Sequence, residues 1–414
     1  MSFELLIYVV LSCLSIVLAV FYFIYPNRVL PIFFIFGLIV PTSNQFMSYI
    51  SLSGVYFFDY FFFLISIYYF ISLLINKKIF KENIFNLIIG LFIVIFYFLL
   101  AFSNSVTIDK YLFRDLRPFL TLFYALIFTV SLRASIISFK SLTNSIICIF
   151  LSKILFFTVI FFGFSFDDQY YQNNAFRYFD AVTFIASLIL IYYILMRQRM
   201  LQEFSKAKLN LILILAIIII LISNLRILIL ALLFIYIFYS KSNLIRKSFY
   251  LVFAVSFFLL YSYMMSANRV LDSNKSEIVT LQLAARFAPA IEKVIQMKPY
   301  EYIYGLGVGT YFEIPWFEYR GLDTKLNTID STYLTLFVKY GLFSVLIFIL
   351  FFRLLLFNIN NTRLRKSIFL FYCIVFLTMS SLYQSGTVFH FLFLNLWFLS
   401  LKNENTSPSI SVSS

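Results

Sequence analysis

The sequence predicts an all-α, polytopic integral membrane protein with twelve or thirteen transmembrane helices and one long outer loop. Three observations carry that reading. Of the 414 residues, 62% are hydrophobic and only 12% charged, whereas soluble domains carry roughly a quarter of charged residues. Apolar runs of roughly 17 to 25 residues recur along the chain, each long enough to cross about 30 Å of hydrocarbon as a helix. The cations behind the net charge of +14 lie in short clusters between these runs, which excludes nucleic-acid binding by a basic domain and leaves a topology signal.

Residues 3–25 form the first run and lack a basic start and a small-residue cleavage site, so they read as a retained helix and not a signal peptide. Further runs cover residues 29–42, 55–75, 84–103, 118–132, 143–165, 179–196, 209–223, 226–239, 248–265, 333–352, 367–383 and 386–401. Pro31, Pro41, Ser43, Asn44 and Gly54 leave residues 29–54 open between a short span and a re-entrant segment. The chain thus divides into an N-terminal helix bundle (1–265), a long loop (266–330), C-terminal helices (331–401) and a tail (402–414). Cys13, Cys148 and Cys373 each fall within an apolar run and read as small buried hydrophobes without disulfide or metal-ligand spacing.

Alternate loops differ sharply in charge. One set, from Lys77, Lys78 and Lys81 to Arg363, Arg365, Lys366 and Lys402, carries seventeen cations against three acids. The other carries twelve cations and thirteen acids. Cytoplasmic loops retain Lys and Arg, so the first set is assigned to the cytoplasm. Chemistry that needs carboxylates then belongs to the opposite face of the membrane.

That face holds the 65-residue loop 266–330, far longer than a helix connection needs. Its first half, SEIVTLQLAARFAPAIEKVIQ, has helical spacing of apolar residues and reads as an amphipathic helix lying on the membrane or over a cavity. Gly305, Gly307 and Gly309 make GLGVGT conformationally permissive, and a tract with Trp316 and Tyr319 leads to Asp330 at the mouth of the next span. Those aromatics fit either an interfacial belt or a sugar-stacking surface.

Charge inside a span demands a partner or a cavity. Asp59 and Lys153 are such residues and either pair with each other or line a pathway, while His390, the one histidine, reads as a buried, hydrogen-bonded structural side chain. Arg226 follows a tight outer turn, SNLR, where it is either a snorkelling residue or an anion clamp; guanidinium stays charged when partly buried and matches phosphate with paired donors. Arg177 precedes a span, Arg286 lies on the loop helix, and Lys110, Arg114 and Arg117 share one face of KYLFRDLR if it is helical. Together they outline an outer cationic pocket, unless Asp109, Asp115 and Asp180 neutralise them in surface pairs. Motifs for metal, nucleotide or serine-nucleophile chemistry are absent, so no metal and no cofactor is expected.

Three stretches, in order, resemble the O-antigen polymerase and ligase superfamily of bacterial inner-membrane glycosyltransferases. SNLRILILALL resembles its Ser-Arg turn opening a helix; RFAPAIEKVIQMKPYEYIYGLGVGTY resembles an Arg-bearing loop helix running into a G-x-G turn; DSTYLTLFVKYGLFSVLIF resembles His-Asn-x-x-Leu followed by a helix with Gly. The resemblance covers roughly 120 to 150 residues. Asp330 stands where ligases have His, and Ser331 where Asn follows, which favours a polymerase over a ligase. The resemblance implies oligosaccharide repeat units on undecaprenyl pyrophosphate as substrate, Arg226, Arg286 and Arg177 as pyrophosphate contacts, and Asp330 as base, with a water-shielded carboxylate in an inverting displacement. Arg117, Gly305, Gly307, Gly309 and Tyr333 are accessory candidates, and a chain-length regulator is an implied protein partner. A lipid-linked oligosaccharide flippase is the alternative from another class. The absence of two similar halves weighs against it.

Overall fold

The structure, a computed structural model, describes residues 3–40, 42, 47–75, 92, 95–97, 99, 110–131, 139–163, 180–223, 225–243, 245–249, 252, 256, 287–314, 324–356, 359–384 and 386–404. Within them the chain is mostly helical. The helices are α1 (Phe3–Ile24), α2 (Pro26–Ile39), α3 (Asp59–Ile75), α4 (Lys110–Asp115), α5 (Arg117–Ser131), α6 (Phe139–Gly163) and α7 (Ala181–Glu203). They continue as α8 (Lys206–Ser223), α9 (Arg226–Tyr239), α10 (Thr332–Tyr340), α11 (Ser344–Leu356), α12 (Thr362–Thr378) and α13 (Thr387–Glu404). Two short hairpins, β1 (Ser51–Leu52) with β2 (Val55–Tyr56) and β3 (Phe312–Glu313) with β4 (Lys325–Leu326), lie in connections. Among the described residues, four segments are by length and composition apolar enough to cross a membrane: Phe3–Ile24, Ala181–Glu203, Lys206–Ser223 and Thr332–Leu356, the last of which is bent.

Local chemistry sets the helix starts. Pro26 opens α2, where its missing N–H has no intrahelical partner to lose. Asp180 caps α7 by accepting from the Val182 N–H, Asn361 caps α12 through the Leu364 N–H, and Ser331 caps α10 through the Leu334 N–H. Among the described residues of 29–54, the chain forms most of α2, a single helical turn at Met47–Ile50 and the start of the β1–β2 hairpin. The run 226–239 coincides with α9, while runs 84–103 and 248–265 fall almost wholly outside the described residues.

Helix α1 exposes large apolar side chains and buries small and hydroxylic ones. On α1, Leu6, Val10, Leu14, Val17 and Phe21 are exposed while Ser12, Ser15 and Ala19 are buried. Tyr8 and Tyr22 reach α3 through hydroxyl contacts with Tyr60 (3.1 Å) and Tyr69 (2.7 Å). This inverted pattern suits lipid, in which helices associate through close packing and polar contacts. It also corrects one expectation: Cys13 and Cys148 are exposed on these outer faces and Cys373 is only partly covered. The interior is aromatic. Phe389 of α13 packs on Phe58, Phe62 and Phe33 at ring separations of 4.8, 5.5 and 5.6 Å, and Gly37 leaves room for it on α2.

The run 333–352 is not one straight helix. Tyr333 and Phe348 would lie about 22 Å apart along an unbroken helix, yet their ring centroids are 5.0 Å apart. The chain bends sharply at Gly341–Phe343, so α10 and α11 form an elbow. Short helix Glu301–Tyr304 and the following glycine turn clasp this elbow: the Leu306 N–H donates to Val338 O and the Gly307 N–H to Lys339 O, both at 2.9 Å. Gly305 and Gly341 meet there with φ of +79° and +54°, and a Cβ on Gly305 would stand 2.3 Å from the Lys339 carbonyl. Replacing either by Ala is therefore expected to cost about 1 to 3 kcal/mol or more. Thermal melting in detergent should show a clear loss for both, against no change for Leu342→Ala at the exposed neighbour.

Candidate functional site

Three buried ion pairs fix the end of the bundle from which the loop 287–314 projects. Asp59, at the start of α3, takes the Arg117 guanidinium in a two-pronged pair at 2.7 and 2.8 Å, while the β2 Tyr56 N–H donates to the same carboxylate at 2.8 Å. The Arg117 guanidinium lies 4.2 Å from the Tyr56 ring centroid. Lys153 pairs with Asp180, the cap of α7, and its ammonium also donates to Val40 O at the end of α2. The expected Asp59–Lys153 pair is thus replaced by two separate pairs. Likewise Asp115 and Asp180 are buried structural acids and not members of surface pairs.

The third pair is the most enclosed. Asp115 and Lys339 are both fully buried and bonded to each other. The Gly309 N–H donates to the second carboxylate oxygen at 2.7 Å, and the Tyr340 hydroxyl donates to Asp115 O at 2.8 Å. Tyr97 completes the node by donating to Tyr304 O and Tyr340 O, each at 3.0 Å. Burial pushes the Asp115 carboxyl above the usual carboxylate range, while Lys339, the Gly309 N–H and Asn327 pull it back. Sequence reasoning missed this node. Its signal was available, since Lys339 is a lone cation in an apolar run and obeys the rule applied to Asp59 and Lys153.

A small apolar cluster of Ala290, Met297, Phe312, Ile329 and Val338, with Phe287, Val294, Leu306 and Leu334 against it, docks residues 287–297 onto α10. Residues 287–296 are helical with this face inward, as the amphipathic pattern predicts for that half of the segment. Lys293, half-buried there, is lowered below the usual lysine range by desolvation, with Glu313 opposing.

Asp330 sits beside this cluster, one residue before the Ser331 cap, and is exposed. The expectation of a water-shielded carboxylate is therefore not met by the protein alone. The backbone around it is held firmly: Thr332 bonds Met379 O through both its N–H (3.2 Å) and its hydroxyl, and the Ile329 N–H donates to the Thr335 hydroxyl at 3.2 Å. Ser331 serves as a helix cap, a role that Asn fills equally well.

Arg226 is the first residue of α9 and is exposed. The α7–α8 hairpin returns the chain to the Asp180 end before α9 begins, and α9 packs on α12, whose end holds Thr332. Arg226 and Asp330 therefore share one end of the bundle. Leu225 provides no side-chain cap to α9, so its first N–H groups and Arg226 both favour an anion.

The remaining candidates divide clearly. Arg177 and Arg286 lie outside the described residues, as do Trp316 and Tyr319. Arg117 is 2% exposed and bound by Asp59, which makes it a structural cation and not a substrate contact. Gly305, Gly307 and Gly309 form the clasp on α10 and the Asp115 contact. Tyr333 turns inward, donating to Cys373 O at 3.3 Å. His390 is buried as expected, stacked on Phe184 at 4.8 Å, but neither ring nitrogen has a hydrogen-bond partner among the described residues.

A family of unknown function, DUF6369, matches residues 123–407, more than two thirds of the chain. The chain belongs to this family. No curated protein matches it. The family match takes in Arg226, Arg286, Asp330 and Lys339 of this DUF6369 protein, whereas Asp59, Asp115 and Arg117 lie before it.

Removing one partner of the central node should be severe. Lys339→Met leaves a buried carboxylate uncompensated and should cost about 3 to 5 kcal/mol. Lys339→Met combined with Asp115→Asn should recover most of the loss, measured as folded yield and melting temperature in detergent.

Proposed function

We propose that this DUF6369 protein is an O-antigen or related surface-polysaccharide polymerase of the bacterial inner membrane, with twelve or thirteen spans and its long loop in the periplasm. The reading rests on the order and spacing of the three motifs in the second half of the chain. The shared location of Arg226 and Asp330 at one rigid end of the bundle supports it. The substrates are oligosaccharide repeat units carried on undecaprenyl pyrophosphate, the lipid tail lying in the bilayer, with a chain-length regulator as protein partner.

In this reading Asp330 accepts the proton of an acceptor sugar hydroxyl. The resulting oxygen attacks the donor's anomeric carbon from the face opposite the pyrophosphate, the carbon–oxygen bond to pyrophosphate breaks, and the configuration inverts. Arg226, Arg286 and Arg177 hold the departing pyrophosphate, whose added charge they stabilise by a few kcal/mol per well-placed donor. No cofactor takes part. Asp330 is exposed, so the exclusion of water that would tune it as a base falls to the bound sugars and lipid.

Single replacements of Arg226, Arg286 or Asp330 by Ala should leave protein levels unchanged and reduce polymer formation by about 10²-fold or more, so that lipopolysaccharide cores carry a single repeat unit. Long chains in all three variants would sink the site assignment. A deletion strain separates the other readings: bare core with lipid-linked polymer indicates a ligase, and repeat units held on the cytoplasmic leaflet indicate a flippase.

A further inference from the structure

The segment 291–304 exposes large apolar side chains beside its polar Glu292, Gln296 and Lys298 although it belongs to a loop. Ile291, Ile295 and Ile303 are 46%, 73% and 53% exposed, and Leu342 beside them is 58% exposed. These side chains form one strip. The Tyr302 hydroxyl donates to Val294 O at 2.8 Å, joining the helix at 287–296 to Glu301–Tyr304, and Gly341 abuts the backbone of Tyr302 and Ile303, which brings Leu342 alongside.

The level of this strip along the bundle follows from ring contacts. Phe348, Phe351 and Phe352 of α11 meet Phe376, Tyr372 and Phe369 of α12 at 5.8, 5.5 and 4.6 Å, so the two helices run antiparallel. Lys366 lies about 15 Å from Phe376 along α12, and Leu342 about 9 Å beyond Phe348 in the other direction. The sum, about 24 Å, approaches the thickness of bilayer hydrocarbon. Across that interval the outer faces are apolar, with Leu342, Val345, Leu346, Ile349, Phe369 and Leu377 exposed. Leu342 thus stands at one edge of the apolar belt, Lys366 at the other, and the loop strip continues the belt past Leu342.

We propose that the strip Ile291, Ile295, Ile303 and Leu342, rimmed by Tyr300, Tyr302 and Lys298, seats the loop in the headgroup layer of the same bilayer that the helices cross. The rim has the composition of an interfacial anchor. Tyr300 and Tyr302 are exposed amphipathic rings, and the Lys298 ammonium lies 5.8 Å from the Tyr300 ring centroid; such side chains favour the boundary between hydrocarbon and water. An amphipathic segment lying in that plane buries its apolar face to the level of the acyl boundary. The inference rests on membrane residence and not on glycosyl transfer.

Depth-resolved quenching tests it. Full-length protein with Cys13, Cys148 and Cys373 replaced by Ala, and with Ile295→Cys, Ile303→Cys or Ile349→Cys carrying an environment-sensitive dye, is reconstituted in phosphatidylethanolamine–phosphatidylglycerol vesicles. Nitroxide placed at the lipid headgroup should extinguish most emission from positions 295 and 303, and acyl-chain nitroxide should act more strongly at position 349. Iodide should have little effect at any of them. If positions 295 and 303 are quenched by iodide and untouched by lipid nitroxide, while 349 responds to the acyl probe, the anchor is wrong and membrane residence stands. Failure at position 349 as well overturns both. Monodisperse elution of each labelled variant ensures that the signal comes from folded protein.

Discussion

Buried charge is the constraint on which the rest of this structure depends. An ion removed from water is tolerable only beside its counter-ion and enough hydrogen-bond donors, and here three carboxylates meet three cations inside one end of a helix bundle. The pairs join α3 to α5, α6 to the start of α7, and the end of α4 to the α10 elbow. Hydrophobic packing between helices in lipid is not driven by escape from water, so polar contacts and close approach carry more of the specificity. The aromatic interior around Phe389 fills the bundle, and the ion pairs fix which helix ends meet.

The loop owes its order to the same end. Glycine-turn N–H groups complete both the Asp115 carboxylate and the free carbonyls of α10, so the segment 301–309 is part of the bundle's hydrogen bonding and not a lid above it. The candidate residues Asp330 and Arg226 stand on this rigid base at helix starts whose backbone is pinned, while the side chains remain exposed. In the proposed reading, a large, charged, lipid-linked substrate would gain from such a base, because the orientation of the site is set before binding.

Much of the fold was legible in the sequence, and the losses have physical reasons. Apolar runs at 3–25, 209–223 and 226–239 mark α1, α8 and α9 closely because helix length and hydropathy are local properties. Partners of buried charges are not local: nothing in the neighbourhood of Asp59 distinguishes Arg117 from Lys153. The elbow at Gly341 was hidden because residues on both sides are apolar, so the hydropathy of 333–352 reads as continuous. A lysine followed by Tyr-Gly is nevertheless a helix-ending signal, and with Lys339 in an apolar run it pointed to a break. Of the candidate site, Asp330 and Arg226 stand at one end of the bundle, whereas Arg117, Tyr333 and the glycines brace the fold; in the sequence a polar or flexible residue near a loop looks the same in either role.

The Asp115–Lys339 pair has a consequence for how the chain is made. Asp59 and Arg117 emerge from the ribosome within one short stretch of synthesis, and so do Lys153 and Asp180. Asp115 precedes its partner by 224 residues, which at about 5 to 20 residues per second corresponds to roughly 10 to 45 s of translation. During that interval the first helices are already threaded into the bilayer while one acid waits without its lysine. The loop-side end is consequently completed last, after synthesis has passed the elbow, and the early helices must tolerate an unfinished neighbour until then.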